Sequence, residues 1–274
     1  MRIQAPTSDE PIASMPWDQF LGAGAGLALA FTLLWALLGR EGRSSWADFA
    51  WAVAIGLCAA LFCALSEGWT ARRVAVAALG LFWAGRLAAH LGKRLSHEGE
   101  DGRYRAMAES LGTGYRTFML GFFLLQALMA WLFSLPFFVL AQNAAAAFTG
   151  WEIAGLALWL LSLAGNNLAD RQLAAWKADP AHRGKTCRQG LWAWSRHPNY
   201  FFEWLIWCAY PVMAVGTPAL PWALATAALM FVMVRFVSGV PFTEQQALRS
   251  RGDDYRRYQE SVSAFFPLPP KSAS

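Results

Sequence analysis

The chain alternates long apolar runs with short polar connections. A helix needs about 20 mostly apolar residues to cross a hydrocarbon core of about 30 Å, and seven runs approach or reach that length. They are Trp17–Leu38, Trp46–Leu65, Ala71–Leu91, Phe118–Gln142, Trp151–Ala169, Tyr200–Val215 and Leu220–Val237. These runs lack the charged face at a 3.6-residue period that helices of a large soluble core show. The pattern therefore predicts an all-α, multi-pass membrane protein, built as a bundle of seven transmembrane helices.

Composition leads to the same class of protein. Of the 274 residues, 56% are hydrophobic and 15% are charged, whereas soluble domains carry about 25% charged residues. A disordered chain is excluded, because such chains have few aromatic residues. The predicted organisation is a tail at 1–16, one transmembrane domain at 17–267 and a second tail at 268–274.

The lysines and arginines predict the orientation of the bundle. The connections 40–45, 93–116, 170–199 and 240–274 hold two, five, six and five of them, which is 18 of the 23 in the chain. Cytoplasmic loops are enriched in Lys and Arg, so we expect these connections and the C-terminus inside the cell and the N-terminus outside. The net charge of +5 then reflects topology, and no nucleic-acid partner is predicted.

Among the charged residues in or beside the apolar runs, four are singled out as candidates, namely Arg86, Asp170, Glu203 and Arg235. An ionisable side chain in a membrane span is costly and usually faces the bundle interior or a wet cavity. The four are therefore predicted to line one pocket. An alternative stays open for Glu203, which could pair with Arg86 or Arg235 for purely structural reasons. The four cysteines form no C-x-x-C pair, and no metal site is predicted.

The fifth run ends in a polar segment. Asn166 and Asp170 are four residues apart and so share a helix face. The macrodipole makes a carboxylate unfavourable near a helix C-terminus, so Asp170 is expected to have a partner, either an arginine or a ligand hydroxyl. Simple capping of the helix end is the alternative.

The run from Gly190 to Glu203 (GLWAWSRHPNYFFE) is the richest in polar residues. Pro198 suits the first turn of a helix, where no backbone donor is needed. The free N–H groups of that turn, together with Arg196, would favour an anion such as a pyrophosphate. Asn199 lies four residues before Glu203 on the same face, which makes Glu203 a functional candidate.

A last amphipathic stretch follows the seventh run. Leu248, Tyr255, Tyr258 and Val262 recur at helical spacing, with arginines between them. The stretch is predicted to be an interfacial helix held by anionic lipid. The alternative function is a lid over a cytoplasmic cofactor pocket.

The run Ser195–Glu203, with Ala169–Leu173 and Gly190–Trp192 before it, resembles the steroid 5-alpha-reductase-like bacterial membrane proteins. This is a domain-of-unknown-function group within the sterol reductase and isoprenylcysteine methyltransferase superfamily. The segments Gly99–Tyr104 and Tyr255–Pro267 fit the same group, so the likeness covers roughly residues 80–270. The reductases favour Asn at the position of Asn199, whereas the methyltransferases usually carry an apolar residue there.

The resemblance implies an oxidoreductase of the bacterial inner (cell) membrane, which uses NADPH to reduce an activated C=C bond. Its substrate would be an apolar, lipid-like or steroid-like molecule entering from the bilayer, and the cofactor half of the domain would be about 150–267. The implied cofactor-binding residues are Asn166, Asp170, Lys177, Arg196, His197, Asn199, Tyr200, Glu203, Arg235 and Tyr255. The catalytic candidates are Glu203, Tyr104 and Tyr115, with Tyr210 as a further possible proton donor.

Two alternatives belong to other classes of function. The first is a lipid or isoprenylcysteine-type methyltransferase that uses S-adenosylmethionine on a related scaffold. The second is a non-enzymatic lipid-binding protein. Steroid reductases of the superfamily also grip a 3-oxo group with a Gln-Glu pair in an early span. The early spans of this chain show no such pair, and Asp48 and Glu67 are predicted to be lone carboxylates.

Overall fold

The computed structural model describes residues 15–38, 44–98 and 109–271, and these residues form helices, turns and loops without a β-strand. The chain divides into two compact units, Met1–Phe148 and Thr149–Ser274. The all-α prediction is confirmed for the described residues. Each unit has its own helices, and one transmembrane domain at 17–267 stays a prediction.

The first unit contains the helices of the first four predicted runs. They are α1 (Trp17–Leu38), α2 (Trp46–Leu65), α3 (Thr70–Glu98), α4 (Tyr115–Phe133) and α5 (Leu135–Ala141). The bounds of α1 and α2 are those predicted. The fourth run is divided at Ser134, and Pro136 lies in the first turn of α5, where its missing N–H costs nothing. All seven residues of α5 are buried, so this short helix forms the centre of the unit.

Two arginines that lie outside the predicted cytoplasmic connections are held by backbone carbonyls. Arg72 is 1% exposed, and its guanidinium donates to the carbonyls of Asn143, Ala145 and Ala147. Arg73 donates to the last carbonyls of α2. Carbonyls at a helix end carry negative partial charge and have no partner within the helix. These two cations therefore have a structural role that explains their place away from the other basic residues.

The second unit contains the remaining helices. They are α6 (Gly150–Ala178), α7 (Pro198–Met213), α8 (Leu220–Val232), α9 (Val240–Arg251) and α10 (Asp253–Ser261), with 3-10 turns at Pro180–His182 and Gly190–Ala193. Residues Met233–Val237 continue α8 as a π-helical segment. Pro198 occupies the first turn of α7, as predicted.

Helix α6 is longer than the sequence predicted. It starts with a capping box between Thr149 and Glu152 and continues to Ala178, nine residues beyond the predicted end at Ala169. Asp170 therefore lies inside the helix, and the argument from an unfavourable macrodipole at a helix end was wrong. Polar residues continue the helix because its last two turns need no apolar surroundings.

Glycine allows α6 and α7 to pack closely. A Cβ atom at Gly155 would lie 2.8 Å from the carbonyl oxygen of Ala209 on α7 and would also strike Met213. A Cβ atom at Gly165 would meet the ring of Phe202. Small residues at helix interfaces let two backbones approach. The close approach brings the polar end of α6 against the first turns of α7.

The C-terminal amphipathic stretch is two helices. Gly252 has φ +52°, a left-handed conformation that favours glycine, and it separates α9 from α10. Tyr255, Tyr258 and Val262 are nevertheless buried together with Ala247, and Leu248 packs against them. The predicted apolar face is thus confirmed as a packed core within the unit. A single continuous helix was wrong.

Five helical stretches of the described residues are long and apolar enough to cross a membrane. They are Trp17–Leu38, Trp46–Leu65, Thr70–Lys93, Glu109–Ala141 and Leu220–Arg251. The chain is therefore a membrane protein with several apolar helices. The fifth and sixth predicted runs are helical as well, but α6 contains several polar residues and α7 has only 16 residues.

Candidate functional site

Four polar side chains from α6 and α7 form one hydrogen-bonded cluster. Asn166 donates from Nδ2 to the carbonyl oxygen of Asn199 at 3.0 Å and to Oε2 of Glu203 at 3.1 Å. Asn199 in turn donates from Nδ2 to Oδ1 of Asp170 at 3.1 Å. We call Asn166, Asp170, Asn199 and Glu203 the amide–carboxylate cluster. The two pairs that the sequence placed four residues apart thus face each other across the helix interface.

The amide–carboxylate cluster extends from the interior of the unit to its surface. Asn166 is 4% exposed, Glu203 and Asn199 are half-buried, and Asp170 is exposed. Ionised carboxylates only accept hydrogen bonds, whereas amides both donate and accept. The cluster can therefore accept hydroxyl or amide N–H groups of a ligand at its carboxylates and position them with its amides.

The loop before α7 is held in place by the rest of the unit. Gly190 has φ +57° and packs against the side chain of Gln172 on α6, which accepts a hydrogen bond from the N–H of Leu191. The indole of Trp192 donates to the carbonyl of Ala169 at 2.9 Å. These contacts hold the segment Gly190–Trp192 against α6 beside Asp170.

A second polar cluster lies on the other side of the first turn of α7, around the carboxylate of Glu244 in α9. Arg196 donates from Nε to Oε1 at 2.7 Å, and His197 contacts the same oxygen through Nε2 at 3.3 Å. Gln259 donates to Oε2 at 2.9 Å, and the Tyr255 hydroxyl lies 3.5 Å from Oε1. We call these five residues the Glu244 cluster. It joins Arg196-His197-Pro198, which we call the RHP motif, to α9 and α10.

Arg196 is almost enclosed by these contacts. Its side chain is 11% exposed, and its Nη1 also donates to the carbonyls of Gln259 and Val262. The Tyr255 phenol interacts with the Arg196 side chain as well. Arg196 was predicted to bind a phosphate, and the structure gives most of its donors to the protein itself.

His197 is 2% exposed and sits between Glu244 and Tyr200. Burial lowers the pKa of His197, although the hydrogen bond and charge of Glu244 act in the opposite direction. The imidazole is therefore neutral at pH 7, with its proton on Nε2, because a carboxylate can only accept. The ring of His197 stacks on that of Tyr200 at 5.5 Å, and the Tyr200 hydroxyl bonds to Thr243 at 3.0 Å.

Tyr255 and Tyr258 are both buried in α10. Burial raises the pKa of each phenol, so both keep their protons at neutral pH. The hydroxyl of Tyr258 donates to the carbonyls of Trp192 and Ser195. Tyr255 was predicted to bind the cofactor, and the structure places it in the Glu244 cluster.

Two further predicted cations lie apart from these contacts. Arg235 is half-buried in the π-helical segment, and its guanidinium lies 5.0 Å from the ring of Phe236. Lys177 is exposed in the last turn of α6. Among the described residues, neither side chain makes a hydrogen bond or ion pair, so both can meet an anion.

The tyrosines proposed as proton donors lie elsewhere in the sequence. Tyr104 is outside the described residues. Tyr115, in the first unit, donates from its hydroxyl to Oγ of Ser44 at 3.0 Å. Tyr210 is 1% exposed in α7. Arg86 is half-buried in the first unit, so its predicted place in one pocket with Glu203 is not tested.

An apolar cavity of about 530 Å³ lies between α7 and α8. Trp204, Cys208 and Phe231 are among its lining residues, all of which are apolar. The indole N–H of Trp204 is bound to the carbonyl of Ala227 at 3.1 Å. Glu203 and Trp204 are neighbours on α7, yet the first faces α6 and the second faces α8. The cavity can therefore hold a hydrocarbon chain and offers it no hydrogen bond from Trp204.

Sequence reasoning missed two polar contacts. The sequence analysis gives Glu244 no role, although a carboxylate in a segment with five basic residues is a signal for an ion pair. Asp48 was taken as a lone carboxylate, but Gln126 of α4 donates to it at 2.7 Å. No sequence spacing links residues so far apart, so the second contact had no signal.

Comparison with known proteins bears on the family alone. No curated protein and no solved structure matches the chain. A family model described as "Protein of unknown function (DUF1295)" matches residues 34–262, which is most of the chain and includes both polar clusters. The protein is therefore a member of the DUF1295 family.

Proposed function

We propose that this protein is a membrane-embedded, NADPH-dependent reductase that transfers hydride to an activated C=C bond of an apolar, lipid-like or steroid-like substrate. The amide–carboxylate cluster is the observation that carries the proposal. Four side chains that match the reductase pattern come from two helices and meet in hydrogen-bonded contact. The resemblance to steroid 5-alpha-reductase-like proteins supplies the activity.

The donor set fits a pyridine dinucleotide. Ribose hydroxyls can donate to Asp170 and Glu203, and a nicotinamide carboxamide can pair with the amides of Asn166 and Asn199. Lys177 and Arg235 make no hydrogen bond or ion pair in the described part of the chain, so these two cations suit phosphates, with Arg196 as a further cation nearby in the sequence. His197, Tyr200 and Tyr255 would act by fixing this set in place.

NADPH, when bound, supplies the hydride. The protein must then orient the reacting groups, exclude water and give a proton to the substrate anion that forms. Asn166 is buried and fixes both Glu203 and the backbone of Asn199, so it orients the site. Glu203 is the proposed proton-handling group of the second unit. The apolar cavity beside α7 suits the hydrocarbon part of the substrate.

The experiment is ligand stabilisation of the detergent-purified protein, with NADPH, NADH and S-adenosylmethionine as separate ligands. We expect NADPH to raise the melting temperature, because a ligand at 100 times its Kd stabilises the folded state by about 2.7 kcal/mol. Asn199→Ala and Glu203→Ala should each raise the Kd for NADPH about 10- to 100-fold, since each removes a hydrogen bond involving a charged group, worth about 1.5–3 kcal/mol.

Asn167→Ala is the matched control, because Asn167 is an exposed amide beside Asn166. It should leave the Kd unchanged. Absence of stabilisation by NADPH contradicts the proposal. Stabilisation by S-adenosylmethionine alone would favour the methyltransferase, and stabilisation by neither would favour a lipid-binding protein.

The proposal includes seven membrane spans in a bacterial inner membrane, with the N-terminus outside. Helix α6 has 29 residues and is about 44 Å long at 1.5 Å per residue, which is enough to cross the hydrocarbon core despite its polar residues. The orientation follows from the basic connections. Seven spans place the α6–α7 connection inside, whereas five spans would place it outside.

Cysteine labelling distinguishes these topologies in intact cells. Ala146→Cys and Arg183→Cys put thiols at exposed positions on either side of α6. With seven spans, a membrane-impermeant maleimide should label position 146 from outside and label position 183 only after permeabilisation. Labelling of both positions in intact cells would contradict the seven-span topology.

A further inference from the structure

The first turn of α7 is held from two sides. On one side, Asn199 bonds to Asp170 and its carbonyl accepts from Asn166. On the other side, consecutive residues of α9, Thr243 and Glu244, bond to Tyr200 and to the RHP motif. The amide–carboxylate cluster and the Glu244 cluster therefore both attach to one five-residue segment, Arg196–Tyr200.

The Glu244 side of this attachment rests on several hydrogen bonds of Arg196. The N–H of Arg196 donates to the carbonyl of Ser263 at 2.8 Å, and its guanidinium reaches two carbonyls at the end of α10. Pro198 follows and restricts the backbone. Asn199 comes only three residues after Arg196, so movement of Arg196 would move the side chain that contacts Asp170.

We infer that Glu244 is a positioning residue for the proposed cofactor site. Through Arg196 and His197 it sets the position of α7, and so the position of Asn199 and Glu203 relative to Asn166 and Asp170. The identity of the ligand, NADPH, rests on the proposed function. The coupling of α9 to the first turn of α7 is independent of that function. Glu244 itself touches no residue of the amide–carboxylate cluster among its hydrogen bonds.

A glutamine cannot replace this carboxylate. Both oxygens of Glu244 accept hydrogen bonds, Oε1 from Arg196 and Oε2 from Gln259. A glutamine side chain has one accepting oxygen, one donating nitrogen and no charge. In one orientation its nitrogen faces Arg196, and in the other Arg196 keeps an acceptor but loses its anion. Glu244→Gln therefore weakens the attachment with almost no change in side-chain volume.

The test measures the ligand-free protein first, by hydrogen–deuterium exchange of the amides of Phe201, Phe202 and Glu203. Glu244→Gln should speed their exchange about tenfold, because local opening of α7 costs less when one attachment is lost. It should also raise the Kd for NADPH about tenfold, because side chains that hold ligand-binding residues in place commonly contribute that much to affinity. Thr243→Val removes the bond to Tyr200 and a local bond to the Gly239 carbonyl at the start of α9, but it keeps the Glu244 contacts, so it should give smaller changes in the same direction.

Two controls separate positioning from general stability. Glu260→Gln makes the same chemical change at an exposed position of α10 and should alter neither measurement. Asp254→Asn loosens the contact of α10 with Thr186 and Arg188, so it should lower the melting temperature without speeding exchange in α7.

The outcomes of the two measurements are distinguishable. Unchanged exchange in Glu244→Gln and Thr243→Val overturns the positioning role, whether or not NADPH binds. Faster exchange in a protein that does not bind NADPH supports the coupling and contradicts the proposed function. A third outcome is that NADPH binds, and that Asp254→Asn and Glu244→Gln lower both the melting temperature and the affinity for NADPH equally. In that case Glu244 has only a structural role.

Discussion

Arg196→Met should lower the free energy of unfolding by about 3–5 kcal/mol, the cost of removing one partner of a buried ion pair. The substitution leaves the Glu244 carboxylate without its cation and leaves the carbonyls of Gln259 and Val262 without a donor. The 11% and 17% exposures of the two side chains leave little room for water to replace these bonds. Denaturant unfolding in detergent, followed by tryptophan fluorescence, measures the effect.

Arg256→Met is the matched control for this prediction. Arg256 pairs with Asp253 at 2.9 Å, but both side chains are more than 60% exposed. Exposed pairs contribute little to stability, so this variant should unfold like the wild type. If Arg196→Met does not fold, Arg196→Lys tests the same point, because a lysine cannot reproduce the fork of donors. Equal unfolding of the Arg196 variants and the wild type would contradict the enclosed ion pair.

Gly155→Ala should destabilise the second unit even though alanine favours helices. The added Cβ atom would lie 2.8 Å from the Ala209 carbonyl and 3.0 Å from the Met213 nitrogen. Relief of this contact requires movement of the α7 backbone. Overpacking of this kind costs about 1–3 kcal/mol, against a gain of at most about 1 kcal/mol in helix propensity. The melting temperature should fall, and the Kd for NADPH should rise as Asn166 and Glu203 separate.

Gly121→Ala tests the same chemical change in α4. No atom lies within 4 Å of a Cβ atom built there, so alanine should have no effect or should stabilise slightly. A Gly155→Ala protein with the melting temperature of the wild type would mean that α6 and α7 are farther apart than the structure shows. The amide–carboxylate cluster would then lose its basis.

Much of the secondary structure was predictable, because a span must keep its residues apolar over a length set by the bilayer. The bounds of α1 and α2 agree with those of their apolar runs. The misses lie where polar residues continue a helix, as at the end of α6, or where local geometry divides one, as at Ser134 and Gly252. Hydrophobicity reports neither event. Continuation of a helix depends on its backbone hydrogen bonds, and its division depends on local backbone geometry, as at the left-handed Gly252.

The candidate site was predictable in part. Spacing of four residues placed Asn166 with Asp170, and Asn199 with Glu203, because four residues bring side chains to one helix face. Which helices face each other is a different question. The contact of Asn166 with Glu203 depends on Gly155 and Gly165, which allow α7 to approach α6.

By itself the sequence determined that this chain is a helical membrane protein with a polar, candidate binding segment at the start of α7. Only the tertiary structure decided that Arg196 and His197 turn to Glu244, while Asn199 and Glu203 turn to α6. Residues 196 and 244 are separated by two helices, and no periodicity relates them. Their pairing follows from the electrostatics of partial burial, because a cation with little access to water needs acceptors from the protein, and here the fold brings a carboxylate to Arg196.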